Sequence, residues 1–131
     1  RTWRGIQTVG LSKSWPIVTK MKLPNAENAV IEEAKLLKYL LSMESKKGRS
    51  KARFLARMGY TADNMQLLER DIREQLLHLD VDEVKETDYG TAYIIDGDLT
   101  GPMNITRIVR SVWMIEHGEE NPRLITLYPK G

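Results

Sequence analysis

The apolar residues of this chain change their spacing near Asp80, and that change constrains the fold more than any other feature of the sequence. Upstream they recur every three or four positions: Ala34, Leu37, Leu40 and Leu41, then Ala52, Leu55 and Ala56, then Met65, Leu68, Ile72, Leu76 and Leu79. Downstream, β-branched and aromatic residues alternate in twos through Tyr93-Ile94-Ile95, Ile105 to Ile115 and Leu124 to Tyr128. A period near 3.6 belongs to a helix buried on one side, and a period of two to a strand. Helices first and strands second make an α+β domain, with N-terminal helices packed on one face of a small antiparallel meander of three to four strands.

Breaks in the pattern set the expected boundaries. Residues 1–22 read as an N-terminal arm or linker, interrupted by Gly5, Gly10 and Pro16, with Trp3 and Trp15 as anchors. Residues 23–131 read as one domain. Helices are expected over Glu32–Leu41, over Ser50–Met58 with Gly59 as its stop, and from a cap at Thr61 or Asp63 to about Leu79. Ala29-Val30-Ile31 reads as a short strand or a helix entry, and polar Ser42 to Gly48 as a loop. Val84 to Glu86 opens the strands. Turns are expected at Tyr89-Gly90, Asp96-Gly97-Asp98, Gly101-Pro102, His117-Gly118 and Asn121-Pro122, the Asp-Gly pair supplying the positive φ of a tight hairpin.

Charge divides along the same line. Residues 1–57 carry thirteen Lys/Arg against four Asp/Glu, and residues 58–131 carry seven against fourteen. The basic half peaks at Lys46-Lys47-Gly48-Arg49-Ser50-Lys51-Ala52-Arg53, with Arg57 a turn later, which is the footprint of a polyanion contact or of a solvated helix face. The chain has no cysteine and two histidines, so disulfides, thiolate metal sites and two-histidine nucleases of the pancreatic kind have little to be built from. No run nears the roughly 18 apolar residues of a membrane span. Glycine-rich phosphate loops, a G-x-S-x-G elbow and an HExxH helix are all missing from the sequence, and no cofactor or metal is expected.

The residues with chemical potential lie on the late strands. Arg107 and Arg110 are three apart, so a regular strand sends them to opposite faces: Arg110 with Val112 and Met114, Arg107 with Val109, Ser111 and Trp113. A covered arginine needs an anion from protein or ligand. A protein acid such as Glu86 or Asp88 is favoured for Arg107 and not for Arg110. Thr126 and Tyr128 share a face, opposite Ile125 and Leu127. Both are ordinary strand formers, and beside Arg110 they also make a small polar constellation. His117 falls in the turn after the Trp113 strand. His78 lies near the end of the third helix and reads as structural.

Several blocks carry a resemblance. Ala29-Val30-Ile31, Lys35-Leu36, Tyr39-Leu40-Leu41, Gly48 to Phe54, Met58-Gly59-Tyr60, Tyr89-Gly90-Thr91, Leu99 to Pro102, Val109 to Trp113 and Leu124 to Pro129 resemble a family of small bacterial domains of undefined function, DUF6883, over residues 23–129. The layout, ending in a Thr-x-Tyr-Pro strand, is similar to the ribonuclease toxins of the EndoU/colicin/RelE-like group. Those are C-terminal warheads of polymorphic and contact-dependent toxins, each with a cognate immunity protein. The resemblance implies a bacterial, metal-independent endoribonuclease toxin that cleaves RNA (tRNA or rRNA, tRNA first) through its own 2′-hydroxyl. It implies an immunity or antitoxin partner, no membrane insertion, and delivery into a target cell's cytoplasm or else a cytoplasmic residence.

The site residues expected on this reading are Arg110 for phosphate charge, Thr126 and Tyr128 as hydroxyls, and Lys51 and His117 for proton transfer. Lys46, Lys47, Arg49, Arg53 and Arg107 would hold RNA, with Trp113 stacking on a base. Relatives place a histidine just before the Gly48-Arg49-Ser50-Lys51 block. Glu44-Ser45-Lys46-Lys47 stand there in this chain, so either Lys46 or Lys47 substitutes or the chain is impaired. Two other readings stay open: a non-catalytic nucleic-acid-binding or immunity-type module, and a toxin of another chemistry such as a nucleotide-directed transferase.

Overall fold

The computed structural model describes residues 21–40 and 46–130, apart from the side chains of 39–40 and 46–49. The arm expected over 1–22 thus lies outside the described residues except at its end. There Lys22 bridges Asp80 in antiparallel fashion and the Val81 N–H donates to the Met21 carbonyl. Helices α1 (Glu33–Lys35), α2 (Lys46–Met58) and α3 (Met65–Gln75) precede strands β1 (Glu83–Glu86), β2 (Gly90–Thr100), β3 (Thr106–Glu116) and β4 (Arg123–Pro129). The strands form one antiparallel sheet in the order β1-β2-β3-β4, each hydrogen-bonded to its sequence neighbour. The helices-then-strands expectation holds.

One sheet face builds the core. Ile95, Leu99, Val109, Trp113, Leu124 and Leu127 are buried there with Leu55 and Met58 of α2 and Leu68, Ile72 and Leu76 from α3 and its last turn. Helix α3 lies against β2 and α2 against β4. Polar needs inside are met locally. Ser111 Oγ donates to the Ile95 carbonyl and accepts the Trp113 indole N–H, both at 2.9 Å. The Tyr60 hydroxyl donates to buried Asp71 at 2.6 Å. Trp113 is fully buried and cannot stack on a base, so that expectation is corrected. An inward position on the middle of a sheet covered by helices excludes solvent from a ring this large.

Local chemistry explains the other differences. The expected helix over Glu32–Leu41 is only α1, continued by a π-helical turn over Leu36–Leu40; Leu41 lies outside the described residues. Helix α2 starts at Lys46, four residues earlier than expected, so Lys46-Lys47-Gly48 form its first turn rather than a loop. Gly59 ends it at φ 104°, as its place after Met58 implies. Thr61 and Asn64 form a reciprocal capping box over a 3-10 turn, and α3 stops at Gln75, leaving His78 beyond the helix.

Asp96-Gly97-Asp98 is not a turn. It lies in the middle of β2, and a Cβ on Gly97 would meet Leu79 Cδ1, with Leu76 Cδ2 at 3.3 Å. That glycine serves a close approach of the post-α3 turn to the strand. Between β3 and β4, Val112 pairs with Thr126 and Trp113 with Leu124, which makes Ile125 the extra residue of a β-bulge. The bulge turns both Leu124 and Leu127 inward and corrects the expectation that Ile125 shares a face with Leu127: Leu127 is buried and Ile125 is exposed.

Candidate active site

The sheet face opposite the core collects the polar residues. Strand alternation places Asp96 of β2, Arg110 and Val112 of β3, and Thr126 and Tyr128 of β4 on it, and the register aligns them: Asp96 opposite Arg110, Arg110 opposite Tyr128, Val112 opposite Thr126. Side chains directly opposite each other stand about 5 Å apart at Cβ, so Arg110 is flanked by a carboxylate on one side and a phenol on the other.

Arg110 makes a two-pronged pair with Asp96, Nε to Oδ1 at 2.8 Å and Nη2 to Oδ2 at 3.0 Å. Lys130, just beyond β4, brings its Nζ to 3.1 Å from the same Oδ2, and its backbone N–H donates to the Ile108 carbonyl of β3. The Asp96 side chain is 12% exposed and that of Arg110 28%, so the pair is sheltered yet open to solvent on the arginine side. The Arg110 hydrogen bonds hold the Asp96 carboxyl below its ordinary value; burial works against them and Lys130 with them. Arg110 is in turn held more firmly protonated, first by Asp96 and in the same sense by Tyr128.

Helix α2 contributes the third cation. Its buried stripe of Ala52, Leu55 and Met58 fixes its rotation on the core, which leaves Lys51 at the margin facing β4. Lys51 Nζ donates to Thr126 Oγ1 at 2.7 Å. The site thus joins three cations, one carboxylate, a hydroxyl and a phenol across two strand pairs and a helix.

Four of the expected catalytic residues therefore meet: Arg110, Thr126, Tyr128 and Lys51. His117 does not join them. It is exposed in the β3–β4 hairpin, seven positions from Arg110, about 23 Å at strand rise. Arg107 is exposed opposite Leu99 and donates to its neighbour Thr106's carbonyl at 3.3 Å. The expected pairing is thus reversed: it is Arg110 that holds a protein acid, because the Gly101-Pro102 hairpin sets Asp96 across from it. Arg53 and Arg57 are exposed on α2. Arg53 points about 200° around the helix from Lys51 and so does not extend its face. The side chains of Lys46, Lys47 and Arg49 lie outside those described, although position 47 falls one helical turn before Lys51.

Sequence reasoning missed Asp96 and Lys130. The signal for Asp96 was present: a hairpin centred just after Gly101-Pro102 pairs 96 with 110. Lys130 follows the final strand and has no motif of its own.

On the α3 side of Asp96 lies an open groove of about 730 Å³ lined by Glu74, His78, Asp80, Asp82, Asp98 and Ile108, among others. The cationic cluster thus borders an acidic surface on one side and the basic α2 on the other. Among the described residues, no group of three or more His, Asp or Glu side chains is placed to hold a metal ion, and no helix is long and apolar enough to cross a membrane.

The family model for DUF6883, a domain of unknown function, matches residues 22–131. The chain belongs to the DUF6883 family. The search of curated proteins returned no match for this DUF6883 chain. Among solved structures it is similar to a chain of a contact-dependent growth inhibition toxin–immunity protein complex from Klebsiella pneumoniae 342. The TM-score is 0.60 at 19% identity, covering 81% of this chain and 97% of that one. At that identity the likeness of this DUF6883 chain to a component of that complex is one of fold.

Proposed function

We propose that this DUF6883 chain is an endoribonuclease toxin domain whose active site is the Arg110 cluster, and that a cognate immunity protein neutralises it. The observation that carries the reading is the meeting of Arg110, Tyr128, Thr126 and Lys51 on one solvent-facing patch of the sheet. A fold shared with a component of a toxin–immunity complex supports it.

The reaction needs little from the protein. The RNA 2′-oxygen loses its proton and attacks the adjacent phosphorus; the bond to the 5′-oxygen breaks and that oxygen takes a proton. A 2′,3′-cyclic phosphate and a 5′-hydroxyl result. The enzyme must orient the phosphodiester and stabilise the charge that builds on its oxygens, and fixed cations do this best where water is partly excluded. Arg110 serves that role. Lys51, bonded to Thr126, and Tyr128, opposite Arg110, are the proton-handling groups. The acidic groove beyond Asp96 repels a polyanion, so RNA approaches from the side of α2.

Total tRNA and rRNA incubated with the protein in EDTA, followed by end-group analysis, test this. Cleavage leaving cyclic phosphate ends, lost in Arg110→Ala and in Tyr128→Phe with folding retained, is the expected result. Intact RNA at protein excess refutes it. One observation favours a second reading, a non-catalytic interaction module: Arg110 is already satisfied by an internal carboxylate. Salt-sensitive RNA binding without turnover is the outcome that selects it.

A further inference from the structure

We propose that Asp96 is the positioning residue of this site and that Lys130 is its second phosphate-contacting cation; this rests on the ribonuclease reading above. A lone arginine on a strand is a long, mobile cation. Here Asp96 fixes both the Nε and Nη2 edges of Arg110, at 2.8 and 3.0 Å, which sets the plane of the guanidinium. Nη1 takes no part in that pair. The same carboxylate draws in Lys130 Nζ at 3.1 Å, while the Lys130 backbone is pinned to Ile108 of β3. One carboxylate thus holds two cations side by side, and the trio carries a single net positive charge. That charge matches one phosphodiester group, and the two cations are held together by one shared oxygen, Asp96 Oδ2, which takes both Arg110 Nη2 and Lys130 Nζ. Lys130 is half-exposed and Arg110 partly so, whereas Asp96 is sheltered. A polyanion therefore meets the cations and not the acid.

The geometry predicts effects of opposite sign. Removing the Asp96 charge makes the patch more positive and frees Arg110 to wander. Binding then holds or tightens while turnover falls. A residue that serves only the fold would lower both together.

The substrate is a single-stranded RNA oligonucleotide, and the binding probe is DNA of the same sequence, which lacks the attacking hydroxyl. Circular dichroism confirms that each variant is folded. Asp96→Asn is expected to lower kcat about ten- to a hundredfold, with DNA binding no weaker than wild type, and Asp96→Glu to recover part of kcat. Lys130→Ala should weaken DNA binding and make its log–log salt slope shallower by about 0.7, the share of one phosphate contact on a single strand; Lys130→Arg should restore it.

An unchanged kcat in Asp96→Asn, or a parallel loss of binding and kcat that Asp96→Glu does not mend, overturns the positioning role. An unchanged salt slope in Lys130→Ala overturns the Lys130 contact. If the wild-type chain binds the DNA but cleaves no RNA, the ribonuclease reading fails, and the binding measurements alone decide the anion site. If it neither binds nor cleaves, both fall.

Discussion

Ser111 sits one residue from Arg110 and faces the other way, into the core, which makes it the sharpest test of how the sheet supports the site. Its hydroxyl is fully buried, donates to the Ile95 carbonyl and accepts from Trp113 Nε1, both at 2.9 Å. Ser111→Ala keeps the strand and removes only the oxygen. The bond to Ile95 is a neutral one, worth about 1 kcal/mol net, and the orphaned indole N–H costs a further ~1–2 kcal/mol because no water replaces its partner. The expected loss is about 2–3 kcal/mol, a fall in Tm on the order of 10 °C for a domain of this size. Urea unfolding followed by far- and near-ultraviolet circular dichroism measures it. In a Trp113→Phe background there is no N–H to orphan, so the same substitution should cost only about 1 kcal/mol, leaving a coupling of about 1–2 kcal/mol. On the proposed ribonuclease function, RNA cleavage per folded molecule should be unchanged at a temperature where the variant is native, since Arg110, Asp96 and Tyr128 lie on the far face. A loss under about 0.5 kcal/mol, or strict additivity with Trp113→Phe, would refute the reasoning.

Other consequences are equally direct. Gly59→Ala forces a Cβ into a φ of 104° and to within 2.7 Å of Pro102 Cγ, so it should destabilise by at least about 1–2 kcal/mol in urea titration. Tyr60→Phe strips a buried carboxylate of its closest donor and should cost about 1.5–3 kcal/mol. Burial first, and then the bond to Asp71, hold the Tyr60 phenol above its ordinary 10.0. Stability from that group is therefore complete below pH 10 and declines above it as the unfolded phenol ionises; the alkaline decline should shrink in Tyr60→Phe. The Asp96 carboxyl is shifted the other way, chiefly by Arg110, from an ordinary 3.8. Its contribution is present above that value and lost as pH falls through the lower folded one, so acid unfolding of Asp96→Asn should show a weaker pH dependence below about pH 4.

How much of this was legible in the sequence depended on how local the information was. The order of helices and strands, the Gly59 stop, the stripe of Leu68, Ile72 and Leu76 and the shared face of Thr126 and Tyr128 follow from spacing within one element. The start of α2 is not legible because Lys46-Lys47-Gly48 have the composition of a loop, and a basic first turn runs against the helix dipole. Ile125 was misplaced because strict alternation cannot foresee a bulge; only two leucines three apart, both needing burial, hinted at it. His117 and Trp113 stand out by residue type alone, and type does not say where along or on which side of the sheet a side chain ends.

The reversed arginine pairing shows what a site requires beyond alternation. Which face Arg110 occupies depends on parity, and parity was read correctly. Which residue stands beside it depends on where the hairpin closes. With Asp96-Gly97-Asp98 taken as a turn, Asp96 leaves the sheet and Arg110 has no acid opposite it. With the chain running straight through Gly97 to the hairpin at Gly101-Pro102, Asp96 and Arg110 are obligatory neighbours. The cause of that straight run is the packing of Leu79 and Leu76 over a strand position that has no side chain. A core contact on one face of β2 thereby decides the electrostatic partner on the other. Gly97→Val is thus expected to disturb Arg110 without touching it: a branched side chain must displace Leu79, and the resulting shift of β2 moves Asp96 relative to β3. The measurable sign is a loss of the acid-linked stability of Asp96 alongside the loss of core stability. Unaltered acid unfolding in a destabilised Gly97→Val protein would show that the two faces are mechanically independent.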